Sequence, residues 1–251
     1  MPLVRLGVHV SELWRYPVKS MRGERLDDAE IRVDGVVGDR LVHVRESSGR
    51  VATSRFRPGL LGLAGTLGAD GEPLVEGVPW SAPETLARVR AVTEPGAELV
   101  RFRGEDLGQR FDVLPLTVLT ESMARAVGYD HRRFRPNVLV ADAPDDAEHE
   151  WAGYGLRIGS ALIGVRNRRS RCVMTTFDPD TLEQDPMVLM RVVHAFGGRV
   201  ALDCWVAEPG LVRLGDPVEV VELPVGEAPP PGNGRDAYPW RRRELPRAVG
   251  D

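Results

Sequence analysis

The sequence predicts a mainly β (α+β) fold, a mostly antiparallel barrel with short peripheral helices. Three observations carry that expectation. Apolar residues recur in short, partly alternating runs, turns rich in Gly, Asp and Pro separate these runs, and helical periodicity is confined to a few brief segments. A chain of 251 residues with 42% hydrophobic content is long enough to bury a core of this kind.

Taken in order, Val4 to Val18 reads as a long, partly alternating strand. Ala29 to Val33 and Arg40 to Val44 read as shorter strands, set off by turns at Asp34-Gly35 and Val37-Gly38-Asp39. Ser81 to Arg88 and Thr120 to Val127 have helical patterns. Thr120 is a candidate N-cap, although Met123 stands where a capping box would place an acid. Strands are expected again at Asn137 to Ala141, Leu156 to Val165, Cys172 to Thr176, Val200 to Val206 and Pro217 to Val221, with a helix at Pro186 to Ala195. Short strands joined by turns favour antiparallel pairing, because parallel neighbours need long crossovers. From about Pro224 the chain becomes rich in Pro, Gly and Arg and loses its periodicity. The expected division is a β-rich N-terminal subdomain over residues 1–105, a second domain over 106–223 and an extended tail over 224–251. No repeat of fixed period is evident.

Composition excludes several functions. The net charge of -4 gives no global attraction to nucleic acid or to an acidic membrane. No apolar run approaches the ~20 residues of a membrane span, and the first residues lack the apolar core of a secretory signal, so a cytoplasmic location is expected. The five histidines are scattered, and the two cysteines, Cys172 and Cys204, are spaced neither as a zinc knuckle nor as a redox pair. There is no P-loop and no GxGxxG. Of the 33 basic residues only Lys19 is lysine, as if a compact ammonium were needed there and a wide guanidinium would not serve.

The residues with chemical promise lie in two clusters. Arg166, Arg168, Arg169, Ser170, Arg171 and Cys172 form a basic run ending in a thiol. Cations beside a thiol favour the thiolate, a nucleophile and a soft-metal ligand. A buried structural cysteine beside a solvated basic edge fits the same composition. Cys204, in the apolar stretch Ala201 to Val206, reads as core. Tyr16-Pro17-Val18-Lys19-Ser20 places an ammonium beside a hydroxyl in a turn, which suits a phosphate. Gly38-Asp39-Arg40 and Arg135-Pro136-Asn137 add arginines at turns or strand entrances.

Read together with Phe134, the Thr175-Thr176-Phe177-Asp178-Pro179 stretch, Phe196-Gly197 and Gly215-Asp216-Pro217-Val218, these motifs occur in an order that resembles MOSC-domain proteins, over roughly Leu6 to Val221. The likeness is to the branch with an N-terminal MOSC β-rich subdomain, which includes the amidoxime-reducing components of mitochondria and their bacterial relatives. It implies a MOSC-type β-barrel and a molybdenum cofactor (Mo-molybdopterin), whose metal takes the Cys172 thiolate. By the same resemblance Lys19, Ser20 and Arg40 hold the pterin phosphate, Arg135, Asn137, Ser170 and Arg171 line the cofactor, and Asp112 is a further contact. Pyridoxal phosphate has no support. The implied activity is reduction of small N-hydroxylated substrates.

Relatives that work alone carry an iron-sulfur domain, whereas no cysteine follows Cys204, so no iron-sulfur cluster is expected. Electrons are then expected from a separate flavin or iron-sulfur donor protein, with Arg241, Arg242 and Arg243 as either a basic contact for it or a solvated end. Gly198 and Arg199 stand where relatives often have an aromatic residue, and the membrane anchor of the mitochondrial relatives has no counterpart. Two other functions remain open at this point: sulfur transfer through a persulfide on Cys172, and non-catalytic carriage of the cofactor.

Overall fold

The computed structural model describes residues 7–103, 108–230 and Arg243. In chain order the elements are β1 (His9–Arg15), β2 (Glu24–Leu26), β3 (Asp28–Arg32), β4 (Gly35–Val36), β5 (Val42–Arg45), β6 (Gly65–Leu67), β7 (Pro73–Val75), β8 (Val78–Pro79) and α1 (Pro83–Val92). They continue with β9 (Glu98–Arg101), β10 (Leu116–Thr120), α2 (Glu121–Val127), β11 (Val138–Ala141), α3 (Ala147–Glu150), β12 (Gly155–Ile158) and β13 (Ala161–Ser170). The last are α4 (Pro186–Phe196), β14 (Arg199–Glu208), β15 (Gly210–Arg213) and β16 (Val218–Val221).

The mainly β expectation holds. Eight strands form one sheet in the order β16-β12-β13-β14-β10-β11-β1-β2. The approach to β16 returns to β1: Val10 N donates to Asp216 O at 3.0 Å and Val218 N to Val8 O at 3.0 Å, so the sheet curls onto itself. Three smaller sheets, β15-β3-β4, β5-β9 and β6-β7-β8, complete the β structure among the described residues. Alternation decides which side chains turn inward. Ala29 and Ile31 of β3 are buried, and the residues between them are exposed.

One apolar cluster lies within the large sheet around Leu13, Ile31, Leu116, Val138, Ile163 and Leu202. A second, around Val18, Met21, Val42, Val44, Leu60 and Val89, lies among the smaller sheets of the first third. A third packs α2 and α4 against the large sheet through Met123, Val127, Leu139 and Val192. The segment after β1 leaves the first cluster at Leu13 and enters the second at Val18, which places Lys19 and Ser20 at the junction of the two.

Three expectations are corrected. Leu156 to Val165 is not one strand: β12 and β13 form a hairpin turning at Gly159, whose φ is +55° and where a Cβ would stand 2.3 Å from the Leu211 carbonyl. Cys172 to Thr176 is not a strand. After Ser170 the chain leaves the sheet, and 173–176 wind into a 3-10 turn closed by Thr175 N and Oγ1 on the Cys172 carbonyl, at 3.1 and 3.0 Å. One pair in the large sheet, β10 with β11, is parallel, because the connection through α2 is long enough for a crossover. The expected tail lies mostly outside the described residues, as do Arg241, Arg242 and residues 4–6 of the expected first strand. No helix among the described residues is long and apolar enough to cross a membrane.

Candidate functional site

A cavity of about 550 Å³ opens between the two halves of the chain. One wall comes from Lys19, Ser20, Arg40 and residues 46–56. The other comes from residues 108–114, 133–135, 169–172 and the 3-10 turn beyond. Eight cationic side chains line it against two carboxylates, Glu46 and Asp112. In a chain of net charge -4 this is a concentrated positive field, suited to an anion.

The first wall is built by backbone bonds between two turns. Tyr16 N donates to Asp39 Oδ1 at 2.7 Å, Arg40 N to Tyr16 O at 2.7 Å and Lys19 N to Val42 O at 2.8 Å. Ser20, Arg40 and Arg135, all expected site residues, have φ of 71°, 48° and 52°. Left-handed backbone at non-glycine residues is unfavourable, and here it gathers where side chains converge on the cavity. The Tyr16 ring carries Arg135 at 4.1 Å and Arg40 at 5.2 Å, while its hydroxyl donates to Pro136 O at 3.0 Å. Burial pushes the Tyr16 phenol up to about 12, so it remains protonated at neutral pH.

The lone lysine has a structural explanation. Lys19 Nζ, almost fully buried, donates to Gln109 O at 2.7 Å, Arg110 O at 3.3 Å and Asp112 Oδ1 at 2.9 Å. Three acceptors converging on one point suit an ammonium and not a planar fork. Burial pushes the Lys19 ammonium down, against the pull of Asp112. Burial pushes the Asp112 carboxyl up, but Lys19, Arg169 and Arg40 outweigh it and hold the group well below the usual carboxylate range.

Around Cys172, half-buried at the edge of the cavity, the second wall supplies Arg169, Ser170 and Arg171. Arg171 Nη2 donates to Phe134 O at 2.8 Å, while its Nε and Nη1, and Nη2 of Arg135, are buried with no hydrogen-bond partner. Burial lowers Arg135 to about 10, and burial with the Arg169 charge lowers Arg171 to about 10, so both stay cationic at neutral pH. A buried donor without a partner is unfavourable, which makes these atoms the places where an anion gains most.

Of the expected residues, Lys19, Ser20, Arg40, Asp112, Arg135, Ser170, Arg171 and Cys172 all line this one cavity. Asn137 does not line it. Its Oδ1 accepts from Thr117 N at 3.1 Å and its Nδ2 donates to Trp14 O at 3.3 Å, so it ties β10 to the end of β1. The basic run is also divided, since Arg169 and Arg171 face the cavity whereas Arg168 turns to His149 and to the carbonyls of Phe196 and Arg199. Cys204 is fully buried, and burial raises its thiol well above its ordinary value.

Arg169 stands in the basic run that the sequence singles out, but its partner Asp203 is not evident there. Register shifts in β13 around Arg166 and Arg169 break the alternation and re-aim the Arg169 side chain. Arg169 pairs with Asp203, which is wholly buried on β14. The signal for Asp203 was a lone acid in an apolar strand. Thr53, Arg55 and Phe56 also line the cavity, from a loop with no periodic pattern.

Residues 7–99 match the MOSC N-terminal beta barrel domain and residues 116–219 the MOSC domain. Mitochondrial amidoxime-reducing component 1 of Homo sapiens is 24% identical, over 83% of this chain and 82% of that protein. Its Mus musculus counterpart is 26% identical, over 83% and 81%. Among solved structures, the YUAD protein from Bacillus subtilis is 16% identical with a TM-score of 0.46, over 85% of this chain and 94% of that one. The chain belongs to the MOSC-domain family, in the form that carries the MOSC N-terminal beta barrel domain.

Proposed function

We propose that this chain is an oxidoreductase that holds a molybdenum cofactor in the cavity and reduces small N-hydroxylated compounds with electrons from a separate donor protein. The observation that carries this reading is the half-buried Cys172 thiol sharing a cavity with Arg171 and Arg135, whose buried donors have no partner. A soft thiolate suits molybdenum, and orphaned guanidinium donors suit the pterin phosphate. Among the described residues no group of three or more His, Cys, Asp or Glu stands together to hold a bare ion. Cys172 would therefore share the metal with ligands that the protein does not supply.

When bound, the cofactor supplies two-electron redox chemistry at the N–O bond, which consumes two protons and releases water. The protein's own residues prepare the site. Arg171 and Arg135 would neutralise the phosphate and Ser20 and Arg40 would bound it, while Lys19 holds the 109–112 segment in place. Arg169, held by Asp203, keeps positive charge beside Cys172. Asp112 is held ionised, so it anchors Lys19 and does not deliver protons.

The test is metal and pterin analysis of protein made in a cofactor-producing host, followed by an assay with a chemically reduced dye. The expected result is near-stoichiometric molybdenum and conversion of benzamidoxime to benzamidine, with none from a nicotinamide donor alone. Cyanide-releasable sulfur on Cys172 without metal would replace this reading with sulfur transfer. Full loading without turnover on any N-hydroxylated compound would replace it with a cofactor carrier.

A further inference from the structure

The loop after β5 brings to the cavity polar groups to which the cofactor role proposed above assigns nothing. The loop after β5 is fixed by its own backbone: Ala52 N donates to Val44 O at 2.8 Å, and Thr53 O accepts from Phe56 N at 3.0 Å and Arg57 N at 2.9 Å. This turn leaves Thr53, Arg55 and Phe56 lining the cavity. Nearby acids are already engaged. Glu46 accepts from Arg57 at 3.0 Å and Arg50 at 3.2 Å, and Glu94 accepts from Arg57 at 2.9 Å.

Arg55 forms no hydrogen bond or ion pair with a described residue, and its Nε and the Thr53 Oγ1 are buried with no partner. By contrast Lys19, Arg40, Arg133 and Arg169, on the same cavity, are matched to Asp112, Asp39, Asp178 and Asp203. The unmatched donors come from two parts of the chain: those of Arg135 and Arg171, with Nε of Arg133, from the segments that carry or adjoin Cys172, and those of Thr53 and Arg55 from the loop after β5. A dianionic phosphate draws on several cations, as the first set offers. One guanidinium with one hydroxyl matches a singly charged group with two oxygens.

We infer that Thr53 and Arg55 form a carboxylate-binding subsite for the substrate, so that the N-hydroxylated compound taken by this cavity is an acid. The inference rests on the reductase reading above. Arg55 pairs with the carboxylate and the Thr53 hydroxyl donates to it, while the N–O end lies toward Cys172. Phe56, 72% exposed at the cavity edge, flanks the apolar body between the two ends.

The experiment uses cofactor-loaded protein with a reduced dye and compares 4-carboxybenzamidoxime with benzamidoxime. The wild-type chain is expected to prefer the acid in kcat/KM by about tenfold, the order of one charge-assisted hydrogen bond, with the difference in KM. Arg55→Gln and Thr53→Val should each move that ratio toward unity. Calorimetry supplies a second readout that needs no turnover: 4-carboxybenzamidine should bind more tightly than benzamidine, and Arg55→Gln should remove the difference. Equal kcat/KM for both substrates together with equal binding of the two amidines overturns the subsite. Loss of molybdenum from Arg55→Gln also overturns it, because Arg55 would then belong to the cofactor. If no N-hydroxylated compound is turned over at full loading, the reductase reading fails, and the amidine comparison alone decides the subsite.

Discussion

At the scale of single residues, environment decides which of two identical side chains has chemistry. Cys172 faces the cationic cavity, while Cys204 is enclosed on β14 opposite Leu116. Cys172→Ala is expected to abolish molybdenum retention, and Cys204→Ala to keep it at a stability loss of roughly 1 kcal/mol from the small cavity created. Metal analysis and denaturant melts separate the two, and equal metal loss in both variants would refute the distinction. Lys19 gives a second residue-level expectation. Because its three acceptors converge on one nitrogen, Lys19→Arg should not restore what Lys19→Ala loses. Both variants should release pterin more readily than wild type, by about tenfold or more if one charge-assisted bond is lost. Normal pterin occupancy in Lys19→Arg would show that any cation suffices. Asp203→Asn should be more damaging, since removing one partner of a buried ion pair leaves Arg169 uncompensated at roughly 3–5 kcal/mol. A melting temperature within a degree or two of wild type would count against that view of the pair.

At the scale of elements, short helices are anchored by side chains as much as by their own bonds. Thr120 caps α2 by accepting from Met123 N at 3.2 Å, as its position in the sequence suggested. The acid missing from that sequence motif is supplied from elsewhere. Glu148 of α3 is wholly buried and accepts from Thr120 N at 3.2 Å and from Ala201 N on β14 at 2.8 Å. Burial pushes its carboxyl up to about 7, against the lowering by these backbone donors. Because the folded value lies above the unfolded one, the folded state binds this proton more strongly. The resulting stability is full below about pH 4.5 and is lost as pH rises to about 7, a change on the order of 3 kcal/mol. Melting curves from pH 4.5 to 8 should show this decline in wild type and a flatter profile in Glu148→Gln. Parallel profiles would remove Glu148 as the titrating group. None of this could be read from α3 itself, because the pattern of residues 147–150 is too short to reveal which neighbours the acid meets.

At the scale of the whole molecule, the cavity exists because residues far apart in the chain meet between two apolar cores. Lys19 reaches Asp112, and Arg40 and Arg135 approach the same Tyr16 ring. Loosening that seam should act on both sides of it. Asp112→Ala is expected to leave Lys19 buried without its carboxylate, lower the melting temperature and speed proteolysis within 108–114, and an unchanged digestion pattern would contradict the strap role given to Lys19. The amino-acid order alone reveals the mainly β class, most element positions, the cap at Thr120 and the order of motifs, because periodicity, turn residues and capping are short-range properties. It also singled out eight of the residues that line the cavity, through their resemblance to a family pattern. The folded arrangement was needed to see that β10 and β11 run parallel, that Asn137 ties strands together away from the cavity, and that Arg169, Arg55 and Thr53 line it. The physical reason is that a strand bulge or an irregular loop aims a side chain without changing the composition around it, and partners such as Asp203 become visible only when distant strands pair.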